Sequence, residues 1–188
     1  MDHYMDLTLL PDPEFPAPVL MNALFAKLHR AFVTLDNRTI GVSFPEVEED
    51  ARSLGKRLRL HGAARDLSKL METDWITGMR DHLAGTKVVP VPDGALYRRV
   101  RRVQPKSNVE RLRRRYAKRH PELSAEEVEK AYPESLEQRT RLPFLRLKSQ
   151  STGHPFCLFL DHMPVQDNAV SGEFNSYGLS AQATVPWF

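Results

Sequence analysis

MDHYMDLTLLPDPEFPAPVLMNALFAKLHRAFVTL, residues 1–35, decides the fold, because its hydrophobic period changes once, at a run of prolines. From Tyr4 to Leu10 the apolar Met5, Leu7 and Leu9 alternate, which puts them on one face of a strand. The prolines of PDPEFPAP (11–18) end that strand, since proline brings no amide donor to a ladder. From Val19 to Leu35 the residues Leu20, Leu24, Leu28 and Phe32 recur at helical spacing, the core-facing stripe of an amphipathic helix. His29 falls one position beyond that stripe, beside Phe25 and Phe32, near the C-terminal end of the helix.

Working outward, Ile40–Phe44 and Lys56–His61 read as two strands. A broken helical stretch runs from about Ala64 to Leu83 through Leu67, Leu70, Met71, Trp75 and Met79. Val88–Val91 is a short strand closed by Pro92, Asp93 and Gly94. The order strand–helix–strand–strand–helix–strand predicts an α+β protein with a ferredoxin-like domain over residues 1–95, the architecture also used by RNA-recognition domains. That half lacks the aromatic-rich signature of sheet-face RNA readers, and the dense basic run lies outside it. Residues 96–188 form a second domain: an extended or looped YRRVRRVQ, an arginine-rich helix, a short capped helix, and strands at Leu142–Lys148, Phe156–His162 and Phe174–Leu179.

Charge separates the two halves further. The net +3 over 188 residues is ordinary, but between Tyr97 and His120 eleven bases face one acid, Glu110, giving +10. The remaining 16 bases and 23 acids give −7. A solvated helix normally interleaves acids at i,i+4, and this one does not, so the segment reads as a polyanion-binding element. Ser107-x-x-Glu110 is a capping-box pattern, with Asn108 as a competing cap, and RLRRRYAKRH runs on to Pro121. At 100° per residue Arg111, Arg115, Lys118 and Arg119 share a face, Arg114 borders it, and Leu112 and Tyr116 form a docking edge. Ser124-x-x-Glu127 caps a second helix ending at Pro133.

Composition narrows the chemistry. No apolar run can span a membrane, and MDHYMDLTLL carries acids where a secretory leader needs bases, so the chain reads as cytoplasmic. A single cysteine, Cys157, excludes an internal disulfide and a cysteine-rich zinc site. The seven histidines are scattered, the carboxylates form no two-metal cluster, and no phosphate-cradling glycine loop is present. No cofactor or metal is expected. If the chain cuts RNA, the route needing no metal is attack by a ribose 2′-hydroxyl on its own phosphate, with a histidine as base. His29 fits that role, although helix-end surface histidines are commoner; SQSTG (149–153) offers hydroxyls in what could be a plain turn, and Tyr177 before Gly178 could be a core tyrosine.

IGVSFP (40–45), RVQPKSN-x-ERLRRR (102–115), LKSQSTG (147–153), SYGLS (176–180) and the VPWF terminus resemble the CRISPR repeat-processing endoribonuclease of type I-F systems. MDHYMDL, PDPEFP and the histidine of KLHRA match it too, so the resemblance spans the chain. It implies cleavage of precursor transcripts at the 3′ base of the repeat hairpin, leaving a 2′,3′-cyclic phosphate, with the enzyme staying on its product. By the motif match His29 is the general base, Ser149 aided by Ser151 fixes the reacting ribose, and Tyr177 positions the histidine or the nucleotide. The resemblance also implies that Arg102 and Gln104 read base edges low in the stem, that Phe156 stacks on its terminal pair, and that Arg114, Arg115, Lys118, Arg119 and His120 grip phosphates, with Arg111 on the same helix. Lys118 stands where the family pattern has arginine, a point charge in place of a bidentate fork. The implied partners are the CRISPR repeat stem-loop and the subunits of the type I-F RNA-guided interference complex. Two other readings are a non-catalytic RNA-hairpin binder and a helix-turn-helix-like DNA binder built on the capped helices flanking Pro121. His29 together with SQSTG favours the enzyme, because a binder has no use for both.

Overall fold

The computed structural model describes residues 1–47, 53–85, 87–105, 109–133 and 140–188, and of Glu110 and Arg111 the backbone alone. The chain is a mixed α+β protein. Contacts divide it into two compact units, Met1–Val103 with Leu142–Phe188, and Gln104–Arg141. The sequence-based division into 1–95 and 96–188 is a different partition.

In the first unit β1 (His3–Leu9) is followed by α1 (Ala17–Thr34), β2 (Gly41–Ser43), β3 (Arg57–Gly62), α2 (Ala64–Met71), β4 (Leu83–Gly85) and β5 (Val89–Pro90). The sheet order is β2-β3-β1-β4, antiparallel throughout, with β5 also on β1. Met5, Leu7 and Leu9 are buried as their alternation requires, and so are Leu20, Leu24, Leu28 and Phe32 of α1. Pro18 sits in the first turn of α1, where a missing N–H removes no helical bond.

The opposite sheet face is covered as well. Asp6 and Arg59, directly paired across β1 and β3, are joined at 2.7 and 2.9 Å and buried. The Arg59 guanidinium lies over the rings of Tyr4 and Phe188 and donates to the Phe188 main-chain oxygen at 3.0 Å. Charged residues at this depth persist only when paired and hydrogen-bonded, and this pair is both. This second face of the sheet is therefore occupied around Asp6 and Arg59.

The rest of this unit is two smaller sheets. β6 (Leu96–Arg98) pairs with β10 (Val185–Trp187), and β7 (Val100–Val103), β9 (Pro155–His162) and β8 (Phe144–Lys148) form an antiparallel three-stranded sheet in the order β7-β9-β8. YRRVRRVQ thus supplies two strands. The broken helical stretch is a helix to Met71 and a single 3-10 turn at Arg80–His82, with the break where Asp74 (φ 52°) and Gly78 (φ 76°) take left-handed conformations; Trp75 and Met79 are buried. One expectation is corrected. Phe174–Leu179 is a turn and not a strand: Asn175 Oδ1 accepts the amides of Tyr177 and Leu179, and Gly178 has φ 68°.

In the second unit α3 (Val109–Arg119) packs against α4 (Ala125–Ala131). The capping box at Ser124 and Glu127 forms in both directions. Ser107 and Asn108, the caps expected for α3, lie outside the described residues.

Candidate active site

The site begins with a registration between a helix and a strand. The amide of Arg146 on β8 donates to Asn22 Oδ1 on α1 at 2.9 Å. His29 lies seven residues beyond Asn22, about 10 Å along a helix, and Ser149 lies three beyond Arg146, about 10 Å along a strand. The two elements therefore deliver a histidine and a serine turn to the same place. There they line a cleft of about 250 Å³ with Arg30, Lys148, Ser151, Phe156 and Tyr177.

His29 Nδ1 is 2.7 Å from the main-chain oxygen of Ser176. A carbonyl oxygen only accepts, so Nδ1 carries the proton and neutral His29 keeps its lone pair on Nε2. The Tyr177 ring stacks on the imidazole at 4.1 Å between centroids and 6° between planes, and the Phe25 ring, one helical turn before His29, is parallel to Tyr177 within 5° at 6.5 Å. The ring is thus fixed from its edge and from one face. The turn holding it is anchored at Gly178, whose carbonyl accepts the Val42 amide at 2.9 Å.

Across the cleft Ser149–His154 links β8 to β9. Ser149 N–H donates to His154 O at 2.9 Å, and Gly153 N–H, at φ 68°, donates to Ser149 O at 2.8 Å. The hydroxyls of Ser149 and Ser151 are 3.2 Å apart, and the Thr152 amide donates to Ser149 Oγ at 3.3 Å. One lining thus carries an imidazole nitrogen with a lone pair, two hydroxyls and two cations, groups able to take a proton and to offset negative charge. Among the described residues no group of three His, Cys, Asp or Glu could hold a metal ion.

The sequence model of the CRISPR-associated protein family Cas_Csy4 matches residues 4–188. The chain belongs to the Cas_Csy4 family. It is 50% identical over 188 residues to a protein of Pseudomonas aeruginosa (strain UCBPP-PA14), covering all of both chains. It is 47% identical, again over all of both chains, to one of Escherichia coli (strain UTI89 / UPEC). Each relative is named CRISPR-associated endonuclease Cas6/Csy4.

In this Cas_Csy4 chain five residues singled out in the sequence, His29, Ser149, Ser151, Phe156 and Tyr177, share the cleft. The Arg102 guanidinium stands 5.8 Å from the Tyr177 ring centre and 5.9 Å from that of Phe156. In the second unit Gln104 is exposed, and so are Arg114, Arg115, Lys118 and Arg119, which form no ion pair among the described residues. The Arg111 side chain lies outside the described residues. His120 is engaged by Glu122 at 3.0 Å and by the Tyr116 ring at 4.5 Å.

Not every base of the +10 segment is free for a polyanion. Arg98 donates to the carbonyls of Met163 and His162, Arg99 to that of Ala181, and Arg101 pairs with Asp161. Arg113 ties α3 to α4 through Tyr132 O at 2.8 Å and Glu129 at 3.1 Å. Charge counting cannot tell such structural arginines from exposed ones. It also passes over Arg30 and Lys148, and over the Ser176 carbonyl, a main-chain group with no letter of its own. Asn175 and Gly178 carried the one available signal, their turn chemistry.

Proposed function

We propose that the chain is a metal-independent endoribonuclease that cuts precursor CRISPR RNA at the 3′ base of the repeat stem-loop and stays on the product hairpin. The observation that carries this reading is the tautomer of His29, fixed by the Ser176 carbonyl within the cleft that holds Ser149, Ser151 and Tyr177. Nε2 takes the proton of the ribose 2′-hydroxyl; that oxygen bonds to the adjacent phosphorus, the P–O5′ bond breaks, and the 5′-oxygen leaves with a proton from solvent. The products are a 2′,3′-cyclic phosphate and a 5′-hydroxyl. Ser149 and Ser151 hold the ribose in line, Tyr177 holds the imidazole, and Arg30 and Lys148 offset the charge of the phosphorane.

Recognition is assigned to Arg102 and Gln104 at base edges, Phe156 on the terminal base pair, and Arg111, Arg114, Arg115, Lys118, Arg119 and His120 on phosphates. The names of the two relatives support a CRISPR-associated endonuclease. The β-α-β-β-α-β order with sheet order β2-β3-β1-β4 supports a ferredoxin-like N-terminal domain, residues 1–95, with 96–188 as the RNA-gripping half. No helix among the described residues is long and apolar enough to cross a membrane. The cytoplasm, and assembly with subunits of the type I-F interference complex, complete the proposal.

The test is a repeat hairpin with deoxyribose at the cut nucleotide, beside its all-ribose form, in excess EDTA. The all-ribose RNA should be cut to a cyclic phosphate, and the deoxy RNA bound but intact. Cutting of the deoxy RNA, or activity restored only by a divalent ion, would refute the mechanism. Binding of both RNAs without cutting would leave a hairpin-binding protein.

A further inference from the structure

The three-stranded sheet runs β7-β9-β8, so β8 is an edge, and among the described residues no strand pairs with its outer side. Antiparallel pairs alternate between those that exchange both main-chain bonds and those whose amides and carbonyls face outward. Ser149 N–H donates to His154 O and Leu160 N–H to Pro143 O, so the bonded positions are Pro143, Leu145, Leu147 and Ser149. Arg146 and Lys148 therefore turn their amides to the free edge. For Arg146 the contact bears this out, since its amide is the one that Asn22 Oδ1 on α1 accepts at 2.9 Å.

The free edge thus faces α1. Lys148 lies two residues beyond Arg146, about 7 Å along a strand, and Ala26 lies one helical turn beyond Asn22, about 6 Å along a helix. Where Asn22 offers an oxygen, Ala26 offers a methyl group, which accepts nothing. Among the described residues nothing accepts from the Lys148 amide. Ala26 and Lys148 both line the cleft that holds His29, Ser149 and Tyr177. One main-chain N–H, fixed in a strand, is therefore available at the wall of the cleft.

We propose that the Lys148 main-chain amide is a further catalytic group, donating to a non-bridging oxygen of the phosphate being cut; the inference rests on the reading given under Proposed function. An edge amide needs an acceptor, and beside the Arg30 and Lys148 cations the acceptor that fits is an anion. The N–H keeps its proton throughout. As the 2′-oxygen bonds to phosphorus, charge builds on the non-bridging oxygens, so the bond strengthens toward the transition state, and a dipole held by the strand needs no reorganisation to meet it. The Lys148 carbonyl faces the same edge and suits a ribose hydroxyl, a donor, so the two main-chain groups match a sugar beside its phosphate.

The experiment is single-turnover cleavage by the full chain, in EDTA, of repeat hairpins with sulfur in place of one or the other non-bridging oxygen at the cut phosphate. Sulfur accepts poorly, so the parent should cut one diastereomer about tenfold more slowly than the other. An ester in place of the Leu147–Lys148 amide, made with the α-hydroxy analogue of lysine, removes the hydrogen and keeps the side chain. It should slow the all-oxygen hairpin on the order of 10²-fold, leave hairpin affinity near that of the parent, and abolish the difference between diastereomers. Lys148→Ala keeps the amide, and should slow cleavage while preserving that difference. Diastereomers cut alike by the parent would overturn the proposal without any variant. An ester form that retains the difference, or Lys148→Ala that loses it, would do the same. Loss of the folded state in the ester form would show that the amide is bonded within the protein, which also contradicts the proposal. No cleavage of the all-oxygen hairpin by the parent would instead overturn the reading under Proposed function, on which this one depends.

Discussion

At the scale of single residues, His29 is held by one hydrogen bond and one stacked ring, and the two can be tested apart. His29→Ala should slow single-turnover cleavage by roughly 10²–10⁴-fold with hairpin affinity almost unchanged. An affinity loss as large as the rate loss would make it a contact residue. Tyr177→Phe keeps the ring that stacks at 4.1 Å and should keep most of the rate, whereas Tyr177→Ala removes it and should lower the rate without changing the product ends. A Phe variant as slow as the Ala variant would assign the role to the hydroxyl. Ser149→Ala should slow cleavage through poorer ribose alignment, and a variant as fast as the parent would take Ser149 out of the reaction.

At the scale of elements, the site depends on a turn and on the pairing of α1 with β8. A Cβ at Gly178 would stand 2.6 Å from Val42 Cγ1 and 2.9 Å from Phe32 Cε2, at φ 68°. Gly178→Ala should therefore cost about 2–3 kcal/mol, a fall in Tm on the order of 5–10 °C, and should slow cleavage by shifting the Ser176 carbonyl. A variant with unchanged Tm would mean that the turn gives way without strain. For α3, Arg119→Ala should weaken all hairpins alike and flatten the salt slope by about one unit, while Gln104→Ala should weaken only the cognate stem, by about 1–3 kcal/mol. The reverse pattern would exchange the gripping and reading roles. What the sequence made legible follows the same division. The strand at Met5, Leu7 and Leu9 and the helix through Leu20 to Phe32 could be read because burial imposes a period on letters. The turn at Phe174–Leu179 could not, because its apolar ends look like a strand while Asn175 and Gly178, between them, impose the bend. The meeting of His29 with Ser149 is set by a side chain on α1, Asn22, bonded to an amide on β8, a relation between distant segments that no local pattern encodes.

At the scale of the whole molecule, stability against acid should be governed in part by His162. Burial, reinforced by the Arg98 charge, lowers its pKa from 6.5 to about 4, and neither ring nitrogen has a partner among the described residues. Between those values the unfolded chain binds a proton that the folded chain refuses, so stability present above pH 6.5 is lost as pH falls toward 4, by at most about 3 kcal/mol. His61, fully buried and also held well below its ordinary value, acts in the same direction. His162→Phe should flatten the Tm-against-pH curve over that window; an unchanged curve would show that the imidazole titrates freely. The two ends of the helical excursion bear on a different property. Val103 of β7 and Phe144 of β8 both sit opposite Phe159 of β9, one on each side, so the chain leaves and re-enters the sheet about 10 Å apart, two strand spacings. A bridge of a few residues could close that gap. On the reading proposed above, residues 104–141 are then a cassette: helices of another lineage could be exchanged into the same sheet, and hairpin preference could change without retuning the site at His29.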